Sequence, residues 1–178
     1  MLSPAEFGAL FDDFQHSAFR VELLPQYLVP EEAEEFRAYR AGEPQPGNLE
    51  DPWWEYLRSR SVEGRPLSRV HVVTSPLTDY LRYEFEWGYA TSVRHGERIS
   101  ILDLAMVDYA GPMPDFDFWL FDDKLGVRMH YAPDGSYEHA TLLAPGDIPN
   151  LIHFRESLLA AAVPFADYWA AHPEFHRD

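Results

Sequence analysis

A chain of 178 residues with 46% hydrophobic and 15% aromatic content is long enough for one domain and can build a core without staples. Its 30 acidic against 14 basic residues give a formal net charge of −16, which argues against direct nucleic-acid binding. The lack of cysteine excludes disulfides, thiolate catalysis and Cys-ligated zinc.

No apolar run approaches the ~20 residues of a membrane span. The N-terminus is acidic where a signal peptide would be basic, so a cytoplasmic protein is expected.

Ser3-Pro4 reads as a helix start, followed by Phe7, Leu10, Phe11 and Phe14 at helical spacing. Phe19–Val29 has strand-like content but contains Pro25, so an extended or edge segment is expected. Pro30 starts a second helix that Gly42 ends, Glu43–Asn48 reads as a loop, and Pro52–Ser61 as a third helix. Ser68 onward gives a buried strand, then a helix signalled by Ser75-Pro76, with Leu77, Leu81, Phe85, Tyr89 and Val93 at uniform four-residue steps. Arg98–Leu104 closes a β-α-β unit with parallel strands. Three antiparallel strands follow, DFDFWLFD, VRMHY and SYEHATLL, and then a helical pattern broken near Pro164.

The fold class expected is α+β, a mixed sheet flanked by N-terminal helices and a C-terminal helix. A single domain over 1–178 is expected. It has a mainly helical part over 1–64, a sheet core over 68–143 and a C-terminal helix over 147–172.

Candidate site residues cluster around the strand that ends in acids. Asp115, Asp117, Asp122 and Asp123 offer hard-cation donors, yet Asp115 and Asp117 share a strand side that Asp122 opposes. No metal site and no cofactor is expected, and the acids read as turn caps or solvent-facing groups. Arg69, Arg82 and Glu86, beside Asp115, Asp117 and Trp119, are expected to line an aromatic-walled binding cleft. His71 and His130, meeting across the sheet with Asp117 and Asp122, are the residues an enzyme would use for acid–base or metal-assisted chemistry. No G-x-S-x-G elbow or P-loop is present.

The order strand, helix, strand, connection, Asp-ended strand, turn and strand over Ser68–Leu143 resembles one half of the phospholipase D fold. Aligning that family's His-x-Lys-x-x-x-x-Asp motif on Asp122 puts Asp115 at the histidine and Asp117 at the lysine, which implies a catalytically degenerate member. The phrases LPQYLVPEEAEEF, VVTSPLTDYLRYEFEWGY, ISILDL, DFWLFDD and VRMHYAPDG resemble an uncharacterised actinobacterial family, domain of unknown function 6879. That resemblance implies no catalytic residues.

The expected function is therefore that of a non-enzymatic regulatory or binding protein for a protein partner or a small molecule. An enzyme acting on a small substrate is the alternative. A basic partner such as a helix-turn-helix regulator would meet the acidic runs Glu31–Glu35 and Asp115–Asp123, with no contact to nucleic acid or membrane. A homodimer through Trp53, Trp54 or Trp169 is also expected.

Overall fold

The computed structural model describes residues 1–46 and 52–177. Ser3 caps α1 (Pro4–Asp13): its hydroxyl accepts from the Glu6 N–H at 3.2 Å, and the Glu6 carboxylate accepts from the Ser3 N–H at 2.8 Å. After β1 (Ala18–Glu22), a 3-10 turn at Pro30–Glu32 leads into α2 (Ala33–Arg40), and Gly42 ends the helix at φ 77°. The loop expected at 43–48 lies partly outside the described residues. The chain is helical again in α3 (Pro52–Val62).

The expected β-α-β unit is present. It runs through β2 (Leu67–Val73), α4 (Asp79–Tyr83), a π-helical segment (Glu84–Tyr89), α5 (Ala90–Arg94) and β3 (Arg98–Asp103), with β2 parallel to β3. The helix begins at Asp79 and not at Ser75-Pro76, because Thr78 supplies the capping hydroxyl to the Leu81 N–H at 3.1 Å. Uniform four-residue steps exceed the 3.6 residues of an α turn. The wider π turns take up the difference and stack Phe85 on Tyr89, ring centroids 5.1 Å apart.

The antiparallel strands β4 (Phe118–Phe121), β5 (Leu125–Tyr131) and β6 (Tyr137–Leu142) follow as expected. The C-terminal pattern breaks at Pro164 into α6 (Ile148–Ala161), β7 (Val163–Pro164) and α7 (Phe165–Ala171).

The strand order β6-β5-β4-β1-β2-β3-β7 makes a mixed sheet of an α+β fold. Its centre is β1, parallel to β2 and antiparallel to β4, which corrects the edge reading of Phe19–Val29. Pro25 lies beyond the strand's end at Glu22, so it takes no donor from the ladder. The 1–64 part is thus more than a helical flank.

One sheet face, with Phe19, Val70, Leu102 and Leu120, packs on Ile148, Leu151 and Leu158 of α6. Gly126 permits that approach, since a Cβ there would stand 2.5 Å from Leu151 Cδ1. The other face is covered at one end by α1 and α3, whose Phe11 and Trp53 pack with Trp119 and Phe121. Its other end is covered by α4, the π segment, α2 and α7. No described helix is long and apolar enough to cross a membrane.

The β4–β5 connection shows what the strand-end acids do. Asp122 and Asp123, at φ 52° and 55°, are the central residues of a turn closed by the Lys124 N–H donating to Phe121 O at 3.0 Å. The Asp122 carboxylate accepts from the N–H groups of Gln15, His16 and Ser17 at 2.8, 2.7 and 3.0 Å. Those bonds outweigh its partial burial and hold its pKa below the ordinary value. Asp122→Ala is expected to lower stability by roughly 1–2 kcal/mol after solvent screening, checked by urea unfolding at neutral pH.

Candidate functional site

The parallel register sets Arg20 beside Arg69 and Glu22 beside His71. Alternate residues of a strand share a side, so all four project from one sheet face toward the gap between the two helical groups. Burying ionisable groups there is costly unless each is paired.

Glu22 is the hub. Its Oε1 lies 3.0 Å from Arg20 Nη2, and its Oε2 accepts from Arg69 Nη1 and from the Tyr89 hydroxyl, both at 2.8 Å. Arg69 also donates through Nε to Glu97 Oε1 at 2.7 Å. Burial alone would push the Glu22 pKa up, but Arg20 and Arg69 override it and hold the carboxyl well below the usual range.

His71 is fully buried, and burial pushes its pKa down. Its Nε2 faces the Leu24 carbonyl at 3.1 Å and therefore carries a proton. Nδ1 then accepts, and it stands 2.8 Å from the Tyr89 hydroxyl and 3.5 Å from Glu84 Oε2. Tyr89 has one proton facing two acceptors, His71 Nδ1 and Glu22 Oε2. The network is one proton short of serving both, and the nearest further carboxyl is Glu84. Burial and the Glu22 charge push the Glu84 pKa well up, and its Oε2 has no hydrogen-bond partner among the described residues.

These groups floor a cleft of about 540 Å³, lined by Arg20, Glu22, Arg69 and Glu84 below and by aromatic side chains including Phe11, Trp119 and Tyr131 around. A second cleft of about 410 Å³ shares Val29, Glu32, Trp53, Arg69 and Glu84 with it. Arg20 stacks on Tyr27 and Trp119, 5.6 and 5.5 Å from the ring centroids, and donates to the Tyr131 hydroxyl at 3.0 Å. Among the described residues, Glu22, His71 and Glu84 form the only His/Asp/Glu group whose ligand atoms all lie within 4.8 Å of one another. It fits a metal poorly. Both oxygens of Glu22 are already engaged, and a dication would share the space with two guanidinium groups.

Of the residues expected at the cleft, Arg69 and Trp119 line it. Asp117 sits behind the wall, accepting from the Tyr27 hydroxyl at 2.5 Å and the Leu23 N–H at 3.0 Å. Arg82 and Glu86 are elsewhere, because the π segment and α2 bury the helix side expected to be polar: Tyr83 and Trp87 pack on Tyr39. They hold the C-terminal segment instead. Arg82 donates to the Phe175 and His176 carbonyls at 2.8 and 3.2 Å, and Glu86 accepts from the Tyr39 hydroxyl at 3.0 Å and the Arg177 N–H at 3.2 Å.

Asp115 is exposed ahead of β4, so it does not join Asp117. His71 and His130 do not meet. His130 projects from the opposite sheet face, two strands beyond β1, stacked on His139 with centroids 4.1 Å apart. In the Glu31–Glu35 run, Glu32 and Glu35 turn inward to the hydroxyls of Tyr80 and Tyr83 at 3.0 and 3.2 Å. Trp53 and Trp54 are half-buried, and Trp169 stacks on Phe165 and His176.

Sequence reasoning missed Arg20, Glu22, Glu84 and Tyr89. A signal for the first two was present in the matched phrases Phe19-Arg20-Val21-Glu22 and Ser68-Arg69-Val70-His71, which carry polar residues at the same alternate positions of two apolar strands.

No curated protein shows significant similarity to the chain. The model of the family described as domain of unknown function 6879 matches residues 5–170, nearly the whole length, and the chain belongs to that family.

Proposed function

We propose that the protein is a non-enzymatic binding module, regulatory in role, whose ligand is a small molecule seated in the cleft above Arg20, Glu22 and Arg69. The observation that carries this reading is the convergence of aromatic walls on a pre-paired ionic floor in about 540 Å³, a size suited to a small ligand. The phospholipase D-like element order from β2 to β6 belongs to the same proposal as a degenerate scaffold. It is supported by β4 offering no group to attack phosphorus: Asp115 faces solvent, Asp117 is under Tyr27 and Asp122 is taken by backbone N–H groups. The enzyme alternative has one feature in its favour, the Glu84 carboxyl at the cleft with its pKa raised by burial, and it requires turnover of whatever binds.

Gly8 of α1 lines the cleft and has open space where a Cβ would stand. Gly8→Trp is therefore expected to fill the cleft while keeping the fold. In a fragment screen by thermal shift, ligands that raise the wild-type Tm should lose their effect on this variant. A screen that finds no ligand, or ligands indifferent to Gly8→Trp, would end the reading.

A further inference from the structure

The cleft's charges do not balance. Glu22, Glu32 and Glu84 line it against Arg20 and Arg69, and Arg69 is also claimed by Glu97. Two carboxyls thus exceed the available cations, and burial raises both Glu84 and Glu32 toward the protonated form. A bound proton here stands in for a missing positive charge.

Resting on the binding reading above, we propose that the cleft takes an organic cation, an amine on an aromatic or apolar body, with its ammonium held by Glu84 beside Glu32. Three features suit that class. Glu84 lines the cleft, and its buried Oε2, 3.5 Å from His71 Nδ1, has no hydrogen-bond partner among the described residues, an unmet acceptor capacity that an ammonium at this carboxyl would answer. The walls are aromatic side chains, which attract cations and bury apolar bodies. The net charge of −16 steers cations toward the protein and acids away from it.

An added carboxylate would meet the same burial and the same Glu22 charge that raise the Glu84 pKa. The groups facing Glu84 are Arg20 and Glu22 of β1, Arg69 and His71 of β2, Glu32 of the 3-10 turn, and Tyr80, Tyr83 and Tyr89 of its own helix. His71 is held neutral by burial, with Arg69 and Arg20 further opposing its charge. The proton that leaves Glu84 on binding therefore goes to solvent. Affinity should rise with pH through the titration of Glu84, until the amine itself loses its charge.

The test is calorimetry with three matched probes, tryptamine, 3-ethylindole and indole-3-propionate, at about pH 6 in buffers of differing ionisation enthalpy. Tryptamine should bind about tenfold or more tighter than the other two and release close to one proton. Glu84→Gln should remove the release and cost about tenfold in tryptamine affinity, while leaving 3-ethylindole unchanged. Equal or tighter binding of the neutral or acidic probe, or tryptamine binding without proton release, overturns the cation assignment and leaves the cleft reading standing. The same holds if no probe binds but the fragment screen yields cleft ligands. Mn²⁺ binding tighter than tryptamine and lost in Glu84→Gln would replace the organic cation with a metal. If neither the probes nor the screen finds a ligand, the cleft reading itself has failed.

Discussion

Glu22→Ala is expected to lower the unfolding free energy by about 3–5 kcal/mol, because it leaves Arg20 and Arg69 charged and buried without their shared carboxylate. The reason lies in geometry: Glu22 is 2% exposed and one carboxylate serves two guanidinium groups and a tyrosine hydroxyl. The measurement is denaturant unfolding at neutral pH. The quadruple change Glu22→Leu, Arg20→Met, Arg69→Met and Glu97→Met should recover much of the loss, since it removes both buried carboxylates together with their guanidinium partners. A loss below about 1 kcal/mol for Glu22→Ala would mean that the two arginines find other partners.

Asp117→Asn should flatten the pH dependence of stability, an effect of about 2 kcal/mol between about pH 4.5 and pH 7. Burial raises this carboxyl from 3.8 to about 6, although Arg20, the Tyr27 hydroxyl and the Leu23 N–H pull the other way. A carboxyl whose folded-state pKa is raised contributes stability that is complete below the unfolded value of 3.8 and lost as pH rises through about 6. Glu84 contributes with the same sign, so the comparison is the difference between wild type and Asp117→Asn. Unfolding free energies at about pH 4.5 and pH 7 give the result. Identical differences in the two proteins would place the titration elsewhere.

The sequence discloses the elements whose pattern is local. The β-α-β unit and the β4–β5–β6 meander are legible because their partners follow in order, joined by one helix or by short turns, the first read at Asp123–Gly126 and found one residue earlier on Asp122-Asp123, the second marked by Pro133-Asp134-Gly135. The place of β1 is not legible, because its neighbours β2 and β4 come from far along the chain and Pro25 marks the segment as an edge. The same edge reading misleads about the site. Without β1 in the centre there is no reason to set Arg20 beside Arg69 or to expect Glu84 above them. Arg82 and Glu86 looked like the better pair because α-helical spacing does not anticipate the π segment.

The central position of β1 also governs how the chain is made. Gln15, just ahead of β1, waits for Asp122, 107 positions later, and the strand itself cannot be enclosed until β4 has been synthesised. During that interval AFRVE is an unpaired strand edge, the kind of segment that recruits other chains. Arg20 and Glu22 are then its gatekeepers: charges that hinder association of nascent chains before β4 arrives become the floor of the cleft afterwards. Neutralising both at once should therefore cost soluble yield during synthesis even where the finished fold tolerates the change.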